Sequence, residues 1–267
     1  MTGRERLTAF VAAQREDLLR AAEQVRLSED IEAVHDFRVA TRRLRTVLRS
    51  APAFFEAEWA DRVQAELDRL GPAFGPLRDF DVFVERLRED ASTLDDDDRA
   101  ALEPVFELLA KDRGAARAAA LAELDAPVFA QLTEALAAPA LVDTDEPLDA
   151  VEVREVRRLR KAMDQIDRNA PDELLHRARI RAKRVRYVAE ALEDDRVVKR
   201  AKELQDVAGE HQDAVVAEEK LRVLAERVPT AAFQLGRLVE REHERRSESR
   251  SGLRRAWKRL AKAAPAS

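Results

Sequence analysis

Helical periodicity is the feature that most restricts the fold of this chain. Apolar residues recur at intervals of three and four along most of its length, beginning with Leu7, Phe10 and Val11, which is the spacing of one face of an α-helix. Seven glycines and ten prolines in 267 residues are too few for an all-β domain, since such a fold needs a turn about every 8–12 residues. The sequence therefore predicts an all-α protein.

Glycine and proline mark the expected helix ends. Breaks are predicted at Gly71-Pro72, at Gly75-Pro76 and at Gly209, because both residue types disfavour the interior of a helix. The segment from Ala138 to Pro147 holds two prolines and three acids. It is the predicted connection between two helical halves, residues 1–140 and 145–267.

Several functional classes find no support in the composition. The absence of cysteine excludes a disulfide scaffold, a thiolate zinc site and a cysteine nucleophile. Residues 1–20 contain acids and arginines throughout, so they do not form the apolar core of a signal peptide. No apolar run approaches the roughly 18 residues of a membrane span. The chain also lacks a glycine-rich phosphate loop and a nucleophile elbow. We therefore expect a cytoplasmic protein that is not an enzyme and that uses no cofactor and no membrane.

An internal repeat organises the sequence. Residues 35–45, HDFRVATRRLR, and residues 176–186, HRARIRAKRVR, each place a base three, seven, eight and ten residues after a histidine. Farther along, five positions recur 134 residues later: Leu70, Gly75, Asp79, Val82 and Leu87 match Leu204, Gly209, Asp213, Val216 and Leu221. Self-similarity at a fixed separation indicates two homologous halves.

On a helix the repeated bases form one continuous face. At about 100° per residue, the first stripe consists of His35, Arg38, Arg42, Arg45 and Arg49, and the second of His176, Arg179, Lys183 and Arg186. Apolar residues such as Phe37 and Leu44 occupy the opposite side of the first helix. Arg43 and Arg184 lie off the stripes, and Glu190 takes the place of a fifth base in the second.

The charge pattern favours a bound anion. Residues 35–49 carry a net charge of +4 and residues 176–186 carry +6, although the whole chain carries −5. A solvated face is the simpler alternative, but stacked like charges cost a few tenths of a kcal/mol per pair. A cationic strip that occurs twice is better explained by an anion between the copies.

Four motifs of the chain resemble the CHAD family, the conserved histidine α-helical domain. They are VHDFRVATRRLR, LGPAFGPLRDFDV, HRARIRAKRVRYVAEAL and LQDVAGEHQDAV, in the order and spacing of that family. The resemblance implies two four-helix bundles related by a pseudo-twofold axis, with a central basic channel. Members are often fused to a triphosphate tunnel domain, whose ExExK motif this sequence lacks, so the resemblance implies a stand-alone CHAD protein.

The resemblance also implies a function, namely non-catalytic binding of inorganic polyphosphate and targeting to polyphosphate granules. The ligand-facing residues carried over by position are His35, Arg38, Arg42, Arg45, His176, Arg179, Lys183 and Arg186. Arg49 is added from its helical phase. Possible supporting residues are Arg43, Arg184, Asp79, Asp213 and His211. Arg78 corresponds to Gln212 in the second half of the repeat, and this difference argues against a symmetric role for the two positions.

Three alternatives remain open at this point. A metal site at His35 and His176 is disfavoured, because several cations and no carboxylate cluster share their stripes. Nucleic-acid binding would suit arginine-rich helices, but the acidic body would repel a duplex and aromatic residues make up only 5% of the chain. A helical scaffold that pairs its arginines with acidic partner helices is the third.

Overall fold

The computed structural model describes residues 2–167 and 169–264, and these residues are almost entirely helical. Ten α-helices occur among them: α1 (Gly3–Leu27), α2 (Ile31–Ser50), α3 (Ala57–Ala91), α4 (Asp96–Ala101), α5 (Glu103–Asp125), α6 (Pro127–Ala137), α7 (Leu148–Met163), α8 (Asp172–Leu192), α9 (Asp195–Arg227) and α10 (Ala232–Ala263). Short 3-10 turns cover Pro52–Phe54 and Pro229–Ala231. The described residues contain no β-strand, only an isolated bridge between Phe55 and Leu141. The all-α prediction is confirmed.

The predicted breaks inside α3 and α9 are wrong. Helix α3 continues through Pro72 and Pro76, and α9 continues through Gly209. Each interior proline removes a backbone hydrogen bond and disfavours the helix. Burial of apolar residues on both sides of the prolines, including Leu67 and Phe74, outweighs this cost. Local sequence signals were overridden here by tertiary packing.

The chain forms two compact units that interleave along the sequence. The first unit comprises Met1–Glu85 and Leu109–Leu148, and the second comprises Arg86–Leu108 and Asp149–Ser267. Helix α3 therefore contributes to both. The duplication into residues 1–140 and 145–267 stays a prediction, and the ends of those halves, residue 1 and residues 265–267, lie outside the described residues.

Aromatic and aliphatic side chains fill the core of the first unit. Phe37 of α2 stacks on Phe74 of α3 with ring centroids 4.0 Å apart, and Phe129 of α6 lies 6.0 Å from Phe37. Two backbone hydrogen bonds hold the segment after α6 against this unit. The N–H of Glu56 donates to the carbonyl of Ala140, and the N–H of Val142 donates to the carbonyl of Phe54.

The second unit is built on α7, α8, α9 and α10. Its core combines Val156 and Leu159 of α7 with Val185 of α8, Leu204 of α9 and Leu260 of α10. Helices α9 and α10 are antiparallel. Arg196 near the start of α9 donates to the carbonyl of Ala263 at the end of α10, and Arg246 of α10 binds Glu218 of α9.

A buried ion network holds the end of α3 in the second unit. Arg86 binds Glu242 of α10 at 2.5 Å and Glu210 of α9 at 2.8 Å. Asp90, one turn farther along α3, binds Arg245 of α10 at 2.6 Å. The side chain of Glu242 is only 1% exposed, so its charge depends on these partners.

Candidate functional site

Helix α2 presents the first stripe as the face opposite its buried side. Phe37, Leu44 and Leu48 are each at most 1% exposed. The side chain of Asp30 caps the helix by accepting a hydrogen bond from the backbone N–H of Glu32. Because the apolar face is fixed in the core, the cations on the other face are held at the surface of the first unit in the predicted phase.

The first part of α3 packs beside this stripe and glycine allows close contact. A Cβ atom at position 75 would lie 3.3 Å from Nη1 of Arg38, which is tighter than an ordinary contact. The glycine therefore lets the Arg38 guanidinium lie against the α3 backbone. Farther along α2, Arg45 and Arg49 each reach a carboxylate oxygen of Asp68 on α3 at 2.5 Å.

Three arginines of the first stripe line an open cavity of about 90 Å³ in the first unit. The lining residues are Arg38, Arg42, Arg45, Phe37, Thr41, Leu70, Gly71 and Phe74. Arg42 forms no hydrogen bond or ion pair with any residue that the structure describes. The cavity has room for several water molecules or for an anionic group of similar size.

Burial and crowding disfavour the charged forms of this stripe. Burial, followed by repulsion from Arg42, lowers the pKa of Arg38, and the nearby Asp79 opposes that shift. Burial, followed by repulsion from Arg78, lowers the pKa of His35 below its ordinary value, while Glu32 and Asp36 oppose the shift. An anion that reaches these groups stabilises their charged forms and raises their pKa values.

Helices α8 and α9 form the corresponding pair in the second unit. His176 Nδ1 lies 2.7 Å from Oε1 of Gln212. Arg179 lies 3.6 Å from Asp213, and a Cβ atom at position 209 would be 3.7 Å from its Nε. Burial raises the pKa of the Asp213 carboxyl, and the nearby charges of Arg179 and then Lys183 oppose that rise.

Corresponding positions of the repeat meet in each unit. Arg38 lies against Gly75 as Arg179 lies against Gly209. Asp79 stabilises the charge of Arg38, and its counterpart Asp213 pairs with Arg179. The same contacts between neighbouring helices thus position the cations of each stripe.

Asp68, beside one end of the first stripe, is the acid that the sequence analysis did not identify. The first stripe has an acidic partner on a neighbouring helix, because Asp68 binds Arg45 and Arg49. In the second unit Arg186 donates to Glu190 at 2.7 Å and to Gln205 at 3.2 Å. Glu190 was visible at helical spacing, whereas Asp68 lies on a neighbouring helix, where spacing within α2 gives no signal.

Several predicted supporting residues lie apart from the stripes. Arg43 extends toward Gln14 of α1, 3.5 Å away. His211 is 3% exposed and its Nε2 lies 2.9 Å from Asp172, which also binds Arg246 and Arg250. Arg184 is half-buried on α8.

The described residues hold neither a cluster of metal ligands nor a membrane-spanning helix. Among residues 2–167 and 169–264, no group of three or more histidine, aspartate and glutamate side chains is arranged to hold a metal ion. Within the same ranges, no helix is both long enough and apolar enough to cross a membrane.

Comparison with known proteins gives relatives over almost the full chain. Two proteins of Mycobacterium tuberculosis, uncharacterized protein Rv2226 of strain H37Rv and uncharacterized protein MT2285 of strain Oshkosh, are 31% identical over 270 residues. The match covers 95% of this chain and 52% of each relative. The chain therefore spans about half the length of these curated relatives.

Solved structures share the fold. PptA from Streptomyces chartreusis superposes with a TM-score of 0.79 and 22% identity, covering 96% of this chain and 99% of that one. The CHAD domain from the plant Ricinus communis superposes with a TM-score of 0.75 and 22% identity, covering 97% and 92%. Residues 9–222 match the CHAD domain family. The chain belongs to the CHAD domain family.

Proposed function

We propose that this protein binds inorganic polyphosphate without chemically converting it. The observation that carries the proposal is the cavity of the first unit, which Arg38, Arg42 and Arg45 line together and where Arg42 has no partner among the described residues. Membership of the CHAD family supports the same ligand class. Such a protein would act as an adaptor that associates with polyphosphate granules in the cytoplasm.

The chemistry of the stripes suits a linear polyanion. Guanidinium groups donate charge-assisted and often bidentate hydrogen bonds to phosphate oxygens. The first stripe runs along α2 from His35 to Arg49, a rise of roughly 21 Å at 1.5 Å per residue. A chain of phosphates can follow such a line, whereas a single phosphate contacts only one or two of the cations.

Calorimetric titration with polyphosphates of defined length tests the proposal. We expect affinity to rise with chain length and to fall steeply with added salt, as counterion release requires. Charge reversal by Arg42→Glu together with Lys183→Glu should abolish binding while the helical circular dichroism signal stays intact. Full affinity in that folded double variant would contradict the proposal. As a control for a single charge reversal, Arg20→Glu reverses a cation whose side chain is 68% exposed and lies outside both stripes.

Competition separates polyphosphate from nucleic acid as the ligand. Long polyphosphate should displace a labelled DNA duplex when its phosphate concentration is far below that of the DNA. The reverse result would favour a nucleic-acid-binding protein. Failure of both polyanions to bind would favour the scaffold that pairs its arginines with acidic helices.

A further inference from the structure

Asp68 occupies an unusual position beside the first stripe. Its carboxylate lies between two stripe residues, with one oxygen 2.5 Å from Nη2 of Arg45 and the other 2.5 Å from Nη2 of Arg49. The Asp68 side chain is 40% exposed, and those of Arg45 and Arg49 are 30% and 40% exposed. An ion pair with this exposure is weak enough for another anion to displace it.

The contact leaves Arg45 incompletely satisfied. The Nε atom of Arg45 is buried and makes no hydrogen bond among the described residues, although its Nη2 contacts Asp68. A phosphate group has enough oxygens to take both edge donors of a guanidinium at once. The open cavity is lined by this same side chain, so a phosphate toward which the Arg45 guanidinium turns satisfies a donor that Asp68 does not use.

We propose that Asp68 is an intramolecular competitor that occupies Arg45 and Arg49 until a phosphate chain displaces it. The inference rests on the proposed function and adds a residue that weakens binding rather than one that makes it. In the free protein the carboxylate relieves repulsion between two neighbouring cations of α2. When a phosphate chain binds, the contacts of the Asp68 carboxylate with both arginines must break, and the free energy needed to break them lowers the affinity.

The second unit places an acid at the corresponding end of its stripe. Arg186, which matches Arg45, binds Glu190 at 2.7 Å. In the repeat Glu190 takes the position of Arg49, and Lys202 takes that of Asp68. The acid has therefore moved from one helix to the other, yet it still pairs with the same arginine position of the stripe.

The variant Asp68→Asn tests the proposal, because asparagine keeps the shape of the side chain and loses its charge. Asp61→Asn is the matched control. Asp61 lies two turns earlier on α3, is exposed, and forms no ion pair with a described residue. Both variants raise the net charge of the protein by the same amount, so a difference between them measures the contact with Arg45 and Arg49.

Titration of long-chain polyphosphate should show a gain in affinity that is specific to position 68. We expect Asp68→Asn to bind up to about fivefold more tightly than the unmodified protein, and Asp61→Asn to change by less than about twofold. The salt dependence of Asp68→Asn should also steepen, because arginines freed from the carboxylate now release counterions. In a double-mutant cycle with Arg49→Gln, the gain from Asp68→Asn should shrink.

The melting temperature of the free protein provides a second readout. We expect Asp68→Asn to melt at a lower temperature than Asp61→Asn without ligand and to gain more on adding polyphosphate. If the unmodified protein binds polyphosphate and Asp68→Asn binds with equal or lower affinity, the competitor role of Asp68 is wrong while the proposed function stands. If neither protein binds at low salt, the proposed function is wrong and the role of Asp68 falls with it.

Discussion

His35 couples the candidate site to pH. Burial and Arg78 lower the pKa of its imidazole, so the free protein holds His35 neutral at pH 7. A phosphate beside the ring raises that pKa again, and binding then takes up a proton. We expect polyphosphate affinity to rise as pH falls through the ordinary pKa of an imidazole, about 6.5, and to level off below the lowered pKa of the free protein.

Calorimetry in buffers of different ionisation enthalpy measures this proton uptake directly. The variant His35→Gln should bind more weakly at pH 6 and lose much of the pH dependence, since glutamine donates a hydrogen bond and does not titrate. An identical pH profile for His35→Gln and the unmodified protein would show that His35 does not face the ligand.

Glu152 provides a pH test of stability that is independent of the ligand. Its side chain lies on α7 and is 5% exposed, and its Oε1 has no hydrogen-bond partner among the described residues. Burial, followed by repulsion from Asp194 and Asp149, raises its pKa to about 7 from an ordinary value of 4.5. The folded state therefore binds more protons than the unfolded state between these values, and stability falls as pH rises through that range.

The variant Glu152→Gln should not lose stability in this way as pH rises, because glutamine does not titrate. We expect it to exceed the unmodified protein in unfolding free energy by about 2–3 kcal/mol at pH 8 and by less than about 1 kcal/mol at pH 5. Urea denaturation at both pH values measures the difference. Glu16→Gln, at an exposed position of α1, is the control, and a gain for Glu152→Gln that does not depend on pH would contradict the account.

At the scale of the element, α2 carries cations of two kinds. Arg42 has no partner among the described residues and stands one turn from both Arg38 and Arg45. Arg45 is paired with Asp68. Repulsion between like charges on one helix would by itself make neutralisation of Arg45 and Arg186 stabilise the free protein. The ion pairs with Asp68 and Glu190 reverse that expectation.

Neutralisation of single arginines distinguishes the two kinds. We expect Arg42→Gln to stabilise the free protein by about 0.5 kcal/mol, since it removes two like-charge contacts. Arg45→Gln should destabilise it by up to about 1 kcal/mol, the range of a partly exposed ion pair. Thermal denaturation without ligand measures both. Loss of stability in Arg42→Gln would mean that its guanidinium has a structural role.

In α2 and α8, the features that the sequence predicts are those that depend on residue spacing within a single helix. The spacing of Phe37 and Leu44 fixes which side of α2 is buried, and the stripe follows by geometry. Two features depend on neighbouring helices and were not predictable. Asp68 reaches Arg45 from α3, and packing around Phe74 carries α3 through its prolines despite their local preference.

At the scale of the whole molecule, the second unit depends on a buried charge. Arg86 is 15% exposed and bridges Glu210 and Glu242. Removing one partner of a buried ion pair leaves the other charge uncompensated and costs about 3–5 kcal/mol. We expect Arg86→Ala to lower the unfolding free energy by about 3 kcal/mol, measured by urea denaturation.

Arg20→Ala is the control for Arg86→Ala. Arg20 pairs with Asp17 on the surface of α1, and its side chain is 68% exposed, so the change should stay within about 0.5 kcal/mol. Equal effects of the two variants would show that the Glu242 charge is solvated rather than dependent on Arg86.

The central claim is the proposal that each cationic stripe binds a long polyanion, and ligand-induced stabilisation tests it most directly. A ligand that binds only the folded state adds about 2.7 kcal/mol at a hundredfold excess over Kd. For a protein of this size we expect long-chain polyphosphate to raise the melting temperature by about 5–10 °C. Orthophosphate at equal total phosphate should raise it far less. Equal shifts for the two ligands, or no shift with the long chain, would contradict the account.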